Sequence, residues 1–166
     1  MVFAHLPASY ILIKSADLLG YHVSLTEGFL ILAAGIVLDF DLLTSRFSNK
    51  THHDLLTHTP FGVFLIWLTF IIIFGGSLSL IGKVLILLSF LLHLLLDELN
   101  HWVCFWKTKK TDKLFEINWL YPLTKFKDRP AAQSLTSFLC DYFREDKTNV
   151  LIELTICIIA LVLFLK

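Results

Sequence analysis

Charge is scarce in this chain. Only 17% of its 166 residues are charged and the formal net charge is zero with neutral histidines, against about 25% charged in an ordinary soluble domain. That overall balance gives no reason to expect a nucleic-acid partner. Cysteine is also rare: Cys104, Cys140 and Cys157 have neither paired nor metal-type spacing. That excludes a disulfide framework and leaves them as small hydrophobes or reduced thiols. The start of the chain lacks the basic stretch of a secretory leader, and His5 and Pro7 interrupt it, so cleavage is not expected. There is no internal repeat and no low-complexity tract. Residues 1–166 suffice for one compact unit and are too few for two ordinary domains.

What abounds is apolar: 56% of the residues are hydrophobic and the mean hydropathy is +0.72. A membrane span needs about 20 mostly apolar residues to cross roughly 30 Å of hydrocarbon. Phe61 to Leu80 carries no charge, Val84 to Leu96 is apolar but for Ser89 and His93, and Val150 to Leu165 is apolar but for Glu153 and small polar residues. Leu25 to Leu43 makes a fourth segment. The first twenty residues carry Lys14 and Asp17 and suit a helix packed inside a bundle. The expected fold is therefore all-α, a polytopic helical membrane protein with about five membrane-associated segments. Residues 101–149 form one long polar insertion whose tryptophans and tyrosines suit the headgroup zone.

If five segments alternate, one side of the bilayer receives Arg46, Lys50 and the basic residues of the insertion. The other receives only Lys83 and Lys166. The positive-inside rule then places the first side in the cytoplasm.

Against this apolar background the ionisable groups stand out. An aspartate at a helix centre costs roughly 2.5–3.5 kcal/mol on insertion scales and less toward the interface, and such groups persist when they pair, line a pathway or bind an ion. Asp39 and Asp41 close the second segment. His93 and Asp97, at i and i+4 near the end of the fourth, share one helix face. His5 and the stretch THHDLLTHTP (51–60), with His53 and His58, fall on the same side. Asp39 and Asp41 act together only if the helix breaks near Asp39, because i and i+2 point to opposite faces of a continuous one. Imidazole and carboxylate are the ligand set of zinc, with manganese and iron as alternatives. Two or three such ions, bridged by carboxylates, would polarise a phosphoryl oxygen and supply a hydroxide nucleophile.

Each group also has a plainer reading. His22 is read as a loop residue and His52 as solvated. His101 continues the His93–Asp97 face but, beside Trp102, also fits an interfacial position. Glu98 is expected to point away from Asp97 toward headgroups. His93 and Asp97 could be a hydrogen-bonded pair that fixes packing. Pro60 is expected to start a helix, with Thr57 as a candidate cap.

The ordered set resembles a family of membrane-bound, metal-dependent hydrolases typified by a LexA-regulated bacterial inner-membrane protein. That family has an early histidine, P-D-x-D-H closing an apolar stretch, H-R-G-x-T-H-S, and H-x-x-x-D near the end of a later span. His5, Asp39, Asp41, His53, Thr57, His58, His93 and Asp97 match those positions, and NWLYPLT is similar to the family's aromatic and proline stretch. Leu38 and Leu42 depart from the first motif, and Asp54 and Leu55 replace the arginine and glycine of the second. The similarity runs to about Thr124. It implies a distant likeness to the all-helical zinc-dependent phospholipase C fold.

The expected function is hydrolysis of a phosphoester of a lipid or membrane-proximal substrate. His5, Asp39, Asp41, His53, His58, His93 and Asp97 would be metal ligands, with Asp41 or Asp97 as bridging ligand or base. Lys125, Lys127 and Arg129 would attract anionic headgroups, each adding about 1 kcal/mol near an anionic surface. The alternatives are an ion carrier or channel-like protein using the same residues in transit, and a non-catalytic scaffold stabilised by metal.

Overall fold

A computed structural model of the chain describes residues 3–40, 56–108, 117–124 and 147–166; these are all-helical, with no strand among them. Asp41, His52, His53, Asp54, Lys125, Lys127 and Arg129 lie outside the described residues. Five α-helices run in order: α1 (His5–Leu18), α2 (Leu25–Ile36), α3 (Pro60–Phe74), α4 (Leu80–Thr108) and α5 (Lys147–Phe164).

Local sequence accounts for several of the helix ends. Pro7 sits in the first turn of α1, where its missing N–H breaks no helical bond. At the other end Gly20 takes a positive φ of 85°, and the Gly20 and Tyr21 amides close back on the Asp17 and Ala16 carbonyls. A side chain at that φ would be strained, which is why glycine ends the helix. Ser24 and Glu27 form a reciprocal capping box at the start of α2. α3 starts at Pro60, as its sequence predicts, but the cap is Thr59 and not Thr57: the Thr59 hydroxyl accepts the Gly62 amide at 3.0 Å.

α4 is the central helix and packs against the other four. Its Leu85, Ile86, Phe90 and Leu94 meet Ile13 and Ala16 of α1, Leu30, Ile31 and Ala34 of α2, and Val63 of α3 in one buried core. Phe70 of α3 and Phe90 meet edge to face at 5.5 Å. α5 lies outside this core and packs Ile152 and Ile156 on Ala4, Ala8 and Leu96.

Three helical stretches, Pro60–Ser77, Leu80–Val103 and Lys147–Phe164, are long and apolar enough to cross a membrane. α3 exposes Phe64, Leu65, Leu68, Ile72 and Ile73, and α5 exposes Leu151, Leu154, Ile158 and Leu161. Apolar faces of that extent suit lipid and not water. α1 and α2 have 14 and 12 residues, or about 21 and 18 Å at 1.5 Å per residue, short of the hydrocarbon thickness. α4 also runs to Thr108, two turns beyond the boundary expected at His101, carrying Trp102 and Trp106 on helix instead of loop.

The end of the bundle where α2 and α4 begin is tied by Glu27. One carboxylate oxygen accepts the Ser24 amide at 2.9 Å and hydroxyl at 2.8 Å, and the other accepts the Ser79 amide at 2.8 Å. This buried carboxylate thus satisfies the first turn of α2 and the entry to α4 together. Glu27→Ala removes a cap and a charge-assisted bond, so thermal unfolding in detergent should show a loss of about 2–4 kcal/mol.

Candidate metal centre

Three helix ends and the middle of α4 deliver side chains to one cluster, away from the Glu27 clamp. His5 is the first residue of α1. α2 tightens after Ile36 into a 3₁₀ turn, Val37–Phe40, that carries Asp39. The α-helix thus gives way just before Asp39, while Asp41 lies outside the described residues. A second 3₁₀ turn, Leu56–His58, presents His58 just before α3. The turn is pinned by the Thr59 hydroxyl, which donates to the Leu56 carbonyl at 2.8 Å. Gly62 lets that carbonyl lie against the first turn of α3, where a Cβ would collide with it. α4 supplies His93 and Asp97 from one face.

Together these make one buried cluster. His5, His58, His93 and Asp97 are all buried, and Asp39 alone keeps about a third of its side chain exposed, 34%. Asp97 Oδ1 lies 3.3 Å from His5 Nε2, and Asp97 Oδ2 lies 3.4 Å from His93 Nε2 and 3.6 Å from His58 Nε2. Asp39 Oδ1 is 3.6 Å from His93 Nε2. The His5 and His93 rings stack at 3.9 Å, and His58 meets His93 edge-on at 5.4 Å.

The tautomer of His93 is fixed. Its Nδ1 lies 2.8 Å from the Gly35 carbonyl, which can only accept, so Nδ1 carries the proton. A neutral ring then aims the Nε2 lone pair at two carboxylate oxygens, a repulsive contact unless a proton or a metal ion lies between. His93 Nε2 and both ring nitrogens of His5 are buried without a hydrogen-bond partner. The contacts of 3.3 to 3.6 Å exceed the about 2.7–2.9 Å of a charge-assisted hydrogen bond. They match the about 3.3–3.6 Å edges of a tetrahedron built on metal–ligand bonds of about 2.0–2.2 Å.

Two overlapping groups have donor atoms within 4.8 Å of one another: His5, Asp39 and His93, and His58, His93 and Asp97. With Nδ1 committed to Gly35, His93 has one lone pair and can serve one ion. The two oxygens of Asp97 face different histidines, as those of a bridging carboxylate do. Five sequence-predicted ligands are thus brought together, while Asp41 and His53 fall outside the described residues. His101 is buried one turn beyond Asp97 but joins neither group. His22 is exposed between α1 and α2.

Glu98 departs from its expected place among the headgroups. It is buried, and its carboxylate accepts the Trp102 indole N–H at 3.1 Å, the Ile117 amide at 3.0 Å and the Trp119 indole N–H at 3.3 Å. Residues 117–124 are thereby strapped to α4 beside Asp97, and Tyr121 reaches Phe61 in the first turn of α3 at 6.0 Å. The sequence signal was present: an acid within four residues of one tryptophan, and two donors on a later aromatic stretch.

No family model, curated protein or solved structure matches the chain. The family resemblance therefore rests on motif spacing alone. Glu98→Ala should leave three N–H donors without their acceptor. Acrylamide quenching of tryptophan fluorescence should rise, and stability should fall by about 2–4 kcal/mol, given about 1.5–3 kcal/mol for a hydrogen bond to a charged group.

Proposed function

We propose that the chain is an integral membrane, metal-dependent hydrolase that cleaves a phosphoester of a lipid or membrane-proximal substrate. The observation that carries this reading is His93 Nε2, turned toward Asp97 and Asp39 at tetrahedral-edge distances by the bond from its Nδ1 to the Gly35 carbonyl. The donors are nitrogen and oxygen only, a set that suits zinc first and manganese or iron next. A divalent ion held there would polarise a phosphoryl oxygen and make a coordinated water acidic enough to attack near neutral pH.

The protein's own residues divide the remaining work. His5, His58 and His93 are the neutral donors. Asp97, touching all three imidazoles, holds them in register and is the bridging ligand or base. Asp39 stands on the open side of the cluster, where substrate would enter. Lys125, Lys127 and Arg129 follow the strap 117–124 in sequence and would hold an anionic headgroup. On this reading the site faces the cytoplasm, the side favoured by the basic residues.

An ion carrier needs polar groups through the depth of the membrane. Between the His–Asp cluster and the Glu27 clamp lies a buried apolar layer of Ile13, Leu30, Ile31, Leu85 and Ile86, which favours a site at one end. Metal analysis of protein purified in detergent should find a divalent ion in the wild type and little or none in His58→Ala and Asp97→Ala. Chelator-sensitive hydrolysis of phospholipid or a chromogenic phosphodiester should be lost in the same variants. Unchanged metal content in both would sink the site, and bound metal without turnover on any substrate would make it structural.

A further inference from the structure

One helical turn deeper than the imidazoles lies a second polar layer. Ser9 follows His5 by one turn in α1, and Ser89 precedes His93 by one turn in α4. Both serines are fully buried. Ser89 donates to the Ile31 carbonyl at 2.8 Å, and the single Ser9 hydroxyl proton lies within bonding distance of both the Ser89 hydroxyl, 2.8 Å away, and the His5 carbonyl, 2.9 Å away. Ile31 in turn lies one turn before Gly35, the acceptor for His93. α4 therefore grips α2 with two side chains on consecutive turns, Ser89 on Ile31 and His93 on Gly35, which fixes the register of the two helices.

Gly35 sets the third spacing. A Cβ at that position would collide with Ser9 Oγ and come within 3.2 Å of the His5 carbonyl oxygen. α1 thus rests directly on α2 over the turn between His5 and Ser9. In lipid, where apolar contact between helices gains little over contact with acyl chains, such close approach and interhelical hydrogen bonding hold a bundle together.

We propose that Ser9, Ser89 and Gly35 are positioning residues that set the width of the metal cavity and so select the size of ion it accepts. The proposal rests on the metal reading above. His5 can reach the other donors only as far as α1 can approach α2 and α4, and the serine layer sets that approach one turn away. The resulting donor spacing, 3.3 to 3.6 Å, is the tetrahedral edge for bonds of about 2.0–2.2 Å. A larger cation needs a wider frame.

The test is competitive titration of zinc and cadmium into detergent-solubilised protein, with helix content and thermal melting measured alongside. Gly35→Ala should push α1 off α2 and weaken zinc binding by about tenfold or more, the scale of losing a residue that orients a ligand. Cadmium, the larger ion, should lose less, so the zinc-to-cadmium affinity ratio falls. Adding Ser9→Ala to Gly35→Ala removes the colliding oxygen and should return part of that ratio. Ser89→Ala adds no volume, should move the ratio in the same direction by less, and decides the matter alone if Gly35→Ala does not fold. Equal losses for both ions that track the melting temperature, or a ratio unchanged in every folded variant, overturn the positioning role and leave the metal site standing. A wild type that takes up neither ion overturns the metal reading and this proposal with it.

Discussion

A carboxylate buried among three imidazoles inside a bundle of leucine and isoleucine constrains everything near it. Asp97 cannot be left in apolar surroundings without compensating charge or hydrogen bonds, because an isolated ionised carboxylate there costs far more than a helix contact returns. The chain supplies partners from three places: His5 in the first turn of α1, His58 in the turn before α3, and His93 one turn earlier on α4. Meeting at one point requires α1 and α3 to start level with the middle of α4, around His93 and Asp97. The alternation of helix direction is the geometric condition for satisfying Asp97. The Gly35 carbonyl adds the last constraint by fixing which nitrogen of His93 faces inward.

That dependence explains how much of the site was legible in the sequence. His5, Asp39, His58, His93 and Asp97 are conspicuous because ionisable groups are costly in an apolar chain, and His93 with Asp97 because four residues is one helical turn. Their convergence followed from alternating segments with no knowledge of distances. What pattern reading missed is of another kind. Ser9 and Ser89 are cheap residues in a span and raise no alarm, yet they bond across three helices. The angle of Glu98 on α4 points it away from Asp97, whereas two of its three partners arrive on Ile117 and Trp119, whose return to α4 no periodicity announces. The helical run past His101 was hidden because Trp102 and Trp106 fit an interfacial loop as well as a helix face.

The two polar ends and the apolar layer between them divide the molecule's tasks. Glu27 holds the far end with bonds that end in backbone amides and a serine hydroxyl, a closed arrangement with no donor left over. At the near end the Nε2 atoms of His5 and His93 face Asp97, and Asp39 opens the cluster to one side. A carboxylate that only ties helices is saturated by N–H and O–H donors, as Glu27 and Glu98 are. Asp97 instead faces three imidazole nitrogens at 3.3 to 3.6 Å. The three acids thus differ in kind: Glu27 and Glu98 accept from backbone amides, indoles and a hydroxyl, whereas the side chains around Asp97 are the donor set of a metal site.

The last helix bears on how self-contained the site is. α5 has no counterpart in the family resemblance, and its length and apolar character would suit a simple anchor. Yet its one buried acid, Glu153, accepts the Phe3 amide at 2.9 Å, two residues before His5, and Asn149 donates to the Asn100 carbonyl at 3.4 Å, three residues past Asp97. Both bonds fall beside ligand positions on α1 and α4. A purely lipid-facing anchor would have no reason to bury a glutamate and an asparagine one turn apart on the face it turns to those helices. α5 is better understood as the outer brace of the site, holding the start of α1 so that His5 enters the cluster at a fixed height.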